Sequence, residues 1–315
     1  MTRRVAAVDC GTNSLRLLVA DVDPARPGLT DVTRRMEIVR LGQGVDRTGR
    51  LAPEALARTM AVLREYAGII AGSGARAVRM AATSATRDAA NAAEFTGRVT
   101  EVLGVVPEVL TGEEEAVLSF TGATAELAAG PEQGPFLVAD IGGGSTEFAL
   151  GPAGGPPVRA ASVNVGCVRM TERHLHTDPP SAAEVAAAAA DIDAALDTAA
   201  AVVPAGPAST LVGLAGSVTT VAAIALRLPA YDAARTHHAR VSAADVHAVT
   251  CGLLAQTRAA RAAIGVMHPG RADVIGGGAL ILDRIMARFG FGEVLVSEHD
   301  ILDGMAWSLA GAARG

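Results

Sequence analysis

The chain has 315 residues, of which 50% are hydrophobic, and its 27 basic and 33 acidic side chains give a net charge of −6. This length is typical of two domains, and the mild negative charge argues against general binding to nucleic acid or to a membrane surface. All 27 basic side chains are arginine. A Walker P-loop is therefore excluded, because that motif requires a lysine.

The cysteines and the apolar stretches indicate the compartment. Cys10, Cys167 and Cys251 are too widely spaced for a zinc motif or a disulfide framework. Only four consecutive apolar residues precede the first aspartate, which is too few for a signal peptide. The charge-free stretch from Thr198 to Leu226 is interrupted by prolines and glycines, so it predicts a buried strand, loop and helix rather than a membrane span. We therefore expect a cytoplasmic protein.

The first half of the chain opens with a predicted β-hairpin. Residues 5–22 (VAAVDCGTNSLRLLVADV) run apolar, polar and apolar, which predicts two strands joined by a tight turn. The elements expected next are a helix over 51–74, a strand entering a polar loop over 75–87, and a helix over 88–104. Thr111 and Glu114 then have capping-box spacing, which places Glu113 to Glu115 in the first turn of another helix.

The second half repeats this opening. Residues 136–150 (FLVADIGGGSTEFAL) have the same layout, and both segments contain D-x-G-x-x-S, beginning at Asp9 and Asp140. A repeat at this separation predicts two related domains, each opening with a hairpin. The three adjacent glycines of the second turn indicate positive φ or the close approach of another group to the backbone.

Strands and helices also alternate after the second hairpin. The expected elements are a helix over 181–201 with a capping box at Ser181 and Glu184, a strand, glycine loop and helix over 210–226, a helix over 242–265 capped by Ser242, and a strand and helix over 294–311. This alternation predicts an α/β fold with largely parallel sheets covered by helices.

Three loops carry groups that bind phosphate. Backbone N–H groups in glycine turns bind phosphate oxygens, and hydroxyls add further donors. The candidates are Gly11, Thr12, Asn13 and Ser14 in the first turn, Gly142, Gly143, Gly144, Ser145 and Thr146 in the second, and Gly216 and Ser217 in the glycine loop of residues 213–222. For this third loop, helix capping is an equal alternative.

Two aspartates follow the first strands of the hairpins. Asp9 and Asp140 are suited to hold Mg²⁺ directly or through its waters, whereas capping of the turns is the structural alternative. Because the two aspartates occur in paired copies of one motif, we favour the phosphate and metal interpretation.

A carboxylate and an arginine complete the candidate chemistry. Release of phosphate needs a group that orients and deprotonates water, and a glutamate among Glu113 to Glu115 is suited to that role. Complementing the helix dipole is the structural alternative for these glutamates. Arg87, in the polar loop ATSATRD, is suited to contact a charged phosphoryl group, although a surface arginine is the plainer interpretation.

Together these segments resemble the exopolyphosphatase and guanosine pentaphosphate phosphohydrolase family. The matching motifs are AVDCGTNSLRLLVAD, RLGQGVDRTGRL, ATSATRDAANAAEF, TGEEEAVLSFTGA, VADIGGGSTEF, VGCVRMTERHL, GLAGSVTTVAA and VSEHDILDGM, in the family's order from about residue 5 to residue 306. The resemblance implies membership of the superfamily of actin, the sugar and acetate kinases and the large heat-shock chaperones. It also implies two ribonuclease-H-like, actin-like domains with an active-site cleft between them.

The resemblance assigns a role to each candidate residue. It implies that Glu115 is the general base, that Arg87 contacts the terminal phosphate, and that Asp140 and Glu147 organise metal and water. The loops at 11–14 and 142–146 would hold phosphates, and Asp9 is the further metal candidate. Mg²⁺ or Mn²⁺ is the expected ion. Ser217 stands where family members usually carry threonine, a change that keeps the hydroxyl.

The leading function is hydrolysis of terminal phosphoanhydride bonds in inorganic polyphosphate, with release of orthophosphate. The alternatives are hydrolysis of guanosine pentaphosphate and, more remotely, an ATP-dependent kinase or nucleotide-binding switch of the same superfamily. We expect a homodimer that binds neither nucleic acid nor membrane.

The expected N-terminal domain spans 1–118, with a helix at about 298–315 packing back on it, and the C-terminal domain spans 119–297. The resemblance also leads us to expect that the extra C-terminal domains of longer members are absent, which argues against high processivity on very long chains.

Overall fold

The computed structural model describes residues 2–23 and 28–311 and divides the chain into two units. The N-terminal unit comprises residues 1–130 and 299–315, and the central unit comprises residues 131–298. The last helix of the chain thus belongs to the N-terminal unit, and residues 312–315 of the predicted helix lie outside the described residues. The predicted boundary at residue 118 falls inside a helix that the N-terminal unit contains entirely.

The first 130 residues contain five strands and five α-helices in their described part. The strands are β1 (Arg3–Cys10), β2 (Ser14–Val22), β3 (Leu29–Ile38), β4 (Ala77–Ala82) and β5 (Glu108–Val109). The helices are α1 (Val45–Thr48), α2 (Pro53–Ser73), α3 (Ser84–Arg87), α4 (Ala92–Leu103) and α5 (Gly112–Thr124), followed by a 3₁₀ turn at Leu127–Ala129.

The central unit contains a six-stranded sheet and its helices. The strands are β6 (Phe136–Ile141), β7 (Thr146–Gly151), β8 (Arg159–Val163), β9 (Thr210–Leu214), β10 (Arg240–Ser242) and β11 (Glu293–Val296). The helices are α6 (Cys167–His174), α7 (Ala182–Val202), α8 (Ala215–Ala225), α9 (Ala233–Thr236), α10 (Ala243–Leu254), α11 (Arg258–Ala262) and α12 (Ile275–Phe289), with a 3₁₀ turn at Pro269–Arg271.

The sheet of the N-terminal unit has the strand order β3-β2-β1-β4-β5. β2 pairs antiparallel with both β1 and β3, whereas β4 pairs parallel with β1 and with β5. The last helix, α13 (Ile301–Gly311), returns to this sheet and packs on β1, β2 and α5.

Helices cover both faces of that sheet. On β1, Ala6, Val8 and Cys10 face the core formed with α2 and α4, whereas Val5 and Ala7 face the core formed with α13. Alternate residues of a strand point to opposite faces, so a strand covered on both sides must be apolar at successive positions. This explains the apolar run that the sequence places before Asp9.

The central sheet has the order β10-β11-β9-β6-β7-β8. β6 again lies between an antiparallel neighbour, β7, and a parallel neighbour, β9. Its buried Leu137, Ala139 and Ile141 belong to the main core, which also includes residues of α7, α8 and α12. The two units therefore share three antiparallel strands at the start followed by parallel strands, and the central unit adds β10, which pairs antiparallel with β11.

The predicted α/β fold and the two-fold repeat are confirmed. The expectation of largely parallel sheets was wrong, because short connections join the first three strands of each unit and can link only antiparallel neighbours. The helix predicted over 242–265 is two helices, since Thr257 caps a new one at α11. Within the described residues, no helix is long and apolar enough to cross a bilayer.

Candidate active site

The turn between β1 and β2 is fixed by backbone hydrogen bonds. The Gly11 N–H donates to the Ser14 carbonyl (3.0 Å), which closes the turn. The Thr12 carbonyl accepts the N–H of Gly42 (2.8 Å), and the Asn13 carbonyl accepts two N–H groups from the same segment. A side chain at Gly42 would overlap Thr12 and crowd Ala85, so a glycine fits best there. The carbonyls of this turn are therefore held by the protein itself.

The charges beside this turn form an ion-paired cluster. Asp9 and Arg16 are directly opposite each other on β1 and β2. The Arg16 guanidinium donates to Asp9 Oδ2 through Nε (2.9 Å) and Nη2 (2.7 Å), and its Nη1 donates to Asp300 Oδ2. Burial raises the pKa of Asp9 above its ordinary value, although Arg16 opposes that rise. Among the described residues, Asp9 Oδ1 has no hydrogen-bond donor.

Asp300 is a buried residue that the sequence interpretation missed. It precedes α13, where its Oδ1 accepts the N–H of Leu302 (3.0 Å), and it is only 5% exposed. Asp303, one turn later, is ion-paired with Arg34 (2.6 Å). The available signal was two aspartates in the motif VSEHDILDGM, an unusual content for a segment that enters an otherwise apolar helix.

Arg87 and Glu115 lie together in the N-terminal unit. Arg87 ends the short helix α3, and Glu115 lies in the first turn of α5. Arg87 Nη1 donates to the Leu110 carbonyl (2.7 Å) and lies 3.3 Å from Glu115 Oε2. The latter contact is longer than the roughly 2.7–2.9 Å of a strong charged hydrogen bond, so the two groups orient each other without being locked together.

The three adjacent glutamates have different environments. Glu114 completes the predicted capping box, since its Oε2 accepts the Thr111 N–H (2.8 Å) while its own N–H donates to Thr111 Oγ1 (3.2 Å). Glu113 is exposed, whereas Glu115 is buried, with only 9% of its surface exposed. Helix capping therefore accounts for Glu114 but not for the burial of Glu115 beside an arginine.

The turn between β6 and β7 repeats the first turn in its closing hydrogen bond. The Gly142 N–H donates to the Ser145 carbonyl (3.0 Å), as Gly11 does to Ser14. The described glycines with positive φ lie elsewhere in the chain. Close approach is seen instead at Gly166, where a Cβ would fall 2.5 Å from the Gly143 carbonyl, so the backbone before α6 packs directly against the turn.

Helix α6 holds the turn between β6 and β7 through hydrogen bonds. Its first N–H groups donate to the turn, with Val168 donating to the Gly143 carbonyl (2.9 Å). The Arg169 side chain donates to the Gly144 carbonyl through Nε (2.6 Å). The carbonyls of Gly142 to Gly144 are thus satisfied by α6. Ser145 and Thr146 are buried, and the Thr146 hydroxyl donates to the Val165 carbonyl (2.7 Å). Arg169 is a second residue to which sequence reasoning assigned no role.

Two buried carboxylates face each other across the central hairpin. Asp140 and Glu147 are directly opposite on β6 and β7 and are 6% and 2% exposed. Ser162 donates its hydroxyl to Glu147 Oε1 (2.7 Å). Carboxylate oxygens are the ligands that Mg²⁺ prefers, so this donor set fits the predicted cation. Asp9 fits less well, because Arg16 already occupies one of its oxygens.

The third glycine loop is absent as a separate loop, because α8 begins directly after β9. Ala215 starts it with a φ of 67°, a conformation that costs a non-glycine residue about 1–2 kcal/mol. No described side chain caps this helix start. The guanidinium of Arg271 lies directly against Gly216, in the space that a Cβ would occupy, and Ser217 is buried. The sequence analysis assigned no role to Arg271.

The structure thus groups the predicted residues within each unit. In the N-terminal unit Asp9 forms an ion pair with Arg16, and Arg87 forms one with Glu115. In the central unit the structure brings Asp140 to Glu147, and it joins the second turn to the start of α6.

The chain matches known proteins over nearly its whole length. Residues 18–312 match the model of the Ppx/GppA phosphatase family. Exopolyphosphatase 2 of Mycobacterium tuberculosis is 51% identical over 319 aligned residues, which cover 98% of this chain and 99% of that protein. These matches agree with the family that the motifs predicted.

Two solved structures are similar along the whole chain. A crystal structure of an exopolyphosphatase-like protein is 43% identical with a TM-score of 0.93, covering 98% of this chain and 99% of that one. The Aquifex aeolicus Ppx/GppA enzyme is 30% identical with a TM-score of 0.81, covering 98% of this chain and all of that one.

Proposed function

Because the chain belongs to the Ppx/GppA phosphatase family, we propose that it is an exopolyphosphatase, which releases orthophosphate from the ends of inorganic polyphosphate. The observation that carries this proposal is the 51% identity with Exopolyphosphatase 2 over almost the full length of both chains. The chain is accordingly a phosphoanhydride hydrolase.

We assign the general base to Glu115. Its burial in the first turn of α5 and its contact with Arg87 support this role, because a partly desolvated and oriented carboxylate can accept a proton from an attacking water. Arg87 is held by the Leu110 carbonyl and would donate to oxygens of the terminal phosphoryl group. The negative charge that develops on the transferred group would be stabilised there.

We assign phosphate binding to the two hairpin turns and to the start of α8. The turns at Gly11 to Ser14 and Gly142 to Thr146 would supply neutral donors to phosphate oxygens from those N–H and hydroxyl groups that the turns do not themselves use. Gly216 and Ser217, at a helix start that no described side chain caps, would supply donors to a further phosphate. Arg271 beside Gly216 adds a positive charge that suits this use.

We assign a divalent cation, Mg²⁺ or Mn²⁺, to Asp140 and Glu147, with Asp9 as the weaker candidate ligand. Two buried carboxylates in register on one hairpin support this assignment. A bound cation would neutralise charge on the phosphates. Chelation with EDTA should abolish phosphate release, and added Mg²⁺ or Mn²⁺ should restore it. Full activity in chelator would overturn the metal assignment while leaving the hydrolase proposal intact.

A direct assay tests the activity. The purified protein with Mg²⁺ is given short polyphosphate, long polyphosphate, guanosine pentaphosphate and ATP separately, and released phosphate is measured. We expect release from polyphosphate at a rate that exceeds the rate with ATP. Phosphate release from guanosine pentaphosphate alone would show that the nucleotide, and not polyphosphate, is the substrate. Tight ATP binding without hydrolysis of any of these compounds would contradict a hydrolase.

We further propose that the protein is a cytoplasmic homodimer that binds neither nucleic acid nor membrane. The net charge of −6 argues against general binding to nucleic acid or membrane, and the scattered cysteines fit a reducing compartment. The dimer rests on the general prevalence of twofold symmetric dimers among oligomers. Sedimentation of the purified chain gives its oligomeric state, and a monomer at micromolar concentration would contradict the dimer.

A further inference from the structure

The three cysteines of the chain have different environments. Cys10 and Cys167 are buried, and burial raises the pKa of both thiols above the ordinary value. A thiol must lose its proton to act as a nucleophile, so these two are poor nucleophiles. Cys251 is exposed near the end of α10. It contributes to no buried core, so packing does not explain a cysteine at this position.

Cys251 lies in a line of three side chains on the surface of the central unit. Its Sγ is 3.5 Å from Nε2 of His247, which lies one turn earlier on α10. The other ring nitrogen of His247, Nδ1, is 3.1 Å from a carboxylate oxygen of Asp283 on α12. The order of groups is thiol, imidazole and carboxylate, as required for a base-assisted nucleophile.

Asp283 decides which nitrogen of His247 carries the proton. A carboxylate accepts hydrogen bonds, so Nδ1 must donate to it, and Nε2 of the neutral ring then faces the thiol as an acceptor. The Asp283 side chain is 18% exposed and is held on a helix packed against α10, whereas His247 is 66% exposed. The neighbouring Arg284 is engaged by Asp193 (2.6 Å) on α7.

We propose that Cys251 is a modification site that reacts with low-molecular-weight disulfides, with His247 as the base and Asp283 as the residue that positions His247. In this step the thiol proton passes to His247 Nε2, and Sγ attacks one sulfur of the disulfide. A new S–S bond forms to Cys251 as the original S–S bond breaks. The second sulfur leaves with the electron pair as a thiolate, so the modified protein is a mixed disulfide.

An aromatic disulfide that releases a coloured thiolate tests this on the intact native protein. We expect one fast equivalent per chain, mapped by peptide mass spectrometry to Cys251, with Cys10 and Cys167 reacting only after denaturation. Cys251→Ser should remove the fast equivalent. His247→Gln should slow it about tenfold or more near pH 7, because the proton acceptor is lost. Asp283→Asn should slow it by a smaller factor.

His174→Gln is the matched control, because His174 also pairs with an aspartate, Asp191 (2.8 Å), on the same unit but beside no cysteine. Its labelling rate should equal that of the parent. Fast labelling at Cys10 or Cys167, or a His247→Gln rate within about twofold of the parent, would overturn the proposal. The readout is thiol labelling, so the outcome does not depend on whether the chain hydrolyses polyphosphate.

Discussion

In each unit the opening hairpin places an aspartate on its first strand opposite a charged residue on its second strand. Asp9 faces Arg16 in the N-terminal unit, and Asp140 faces Glu147 in the central unit. The turn hydrogen bonds are the same, at 3.0 Å in both. One hairpin therefore carries a neutralised pair, and the other carries two like charges that are both buried.

We infer from this difference that Asp9 has a structural role and that Asp140 and Glu147 have a functional one. Arg16 serves two buried carboxylates, Asp9 and Asp300, and so joins the first hairpin to the start of α13. Two buried carboxylates facing each other repel, so the central pair costs stability unless a cation or a proton compensates it. Natural proteins tolerate such costs chiefly where function requires them.

The largest expected effect lies in the N-terminal unit but outside its hairpin. If Glu115 is the general base, Glu115→Gln keeps the shape of the side chain and removes the proton acceptor. We expect kcat for polyphosphate to fall by roughly 10²–10⁴-fold with KM nearly unchanged. Steady-state kinetics measure this. Glu113→Gln is the control on the same helix end, and an equal loss in both variants would contradict the assignment.

The second prediction tests whether Arg16 is structural. Arg16→Met leaves Asp9 and Asp300 as uncompensated buried charges, so we expect the free energy of unfolding to fall by about 3–5 kcal/mol. Arg4→Met is the matched control, because Arg4 pairs with Asp21 across the same two strands but its side chain is 38% exposed, against 18% for Arg16. It should cost at most about 1 kcal/mol. Urea denaturation followed by circular dichroism measures the free energy of unfolding of both variants. Equal losses would contradict a special structural role for Arg16.

The third prediction tests the central pair as a cation site. Glu147→Gln removes one of two facing charges, so it should leave the free energy of unfolding of the metal-free protein unchanged or higher. We expect it to weaken Mn²⁺ binding by roughly 10–100-fold, measured by calorimetric titration. Asp9→Asn, which changes the counterpart of Asp140 on the other hairpin, should weaken binding less. The reverse order would assign the cation to Asp9.

The smallest expected effect concerns the glycines that support the two turns. A Cβ on Gly166 meets the backbone of Gly143, which cannot move without distorting the turn. A Cβ on Gly42 would fall 2.3 Å from Cγ2 of Thr12, which can rotate, and 2.9 Å from the Cβ of Ala85, which would have to shift slightly. We expect Gly166→Ala to cost about 1–2 kcal/mol of unfolding free energy and Gly42→Ala less than about 1 kcal/mol. Thermal unfolding measures the pair, and a larger cost at Gly42 would contradict this.

Local patterns predicted much of the fold. The apolar run before Asp9 predicted β1, and the capping boxes at Thr111 and Ser181 marked the starts of α5 and α7. These signals are local, since a cap depends on residues three positions apart and a strand on its own alternation. The break before α11 escaped prediction, because the capping threonine, Thr257, lies inside a continuous helical pattern.

The sequence by itself determined the repeated hairpins, the α/β class and the family, because each is encoded in the order of residue types along one segment. The resemblance singled out Glu115 among the three glutamates, but only the tertiary structure gave a physical reason, because it buries Glu115 beside Arg87. Only it showed that Arg16 is shared between Asp9 and Asp300, and that the residue opposite Asp140 on the central hairpin is a buried glutamate. Burial and charge pairing join residues far apart in the chain, so no local pattern contains them.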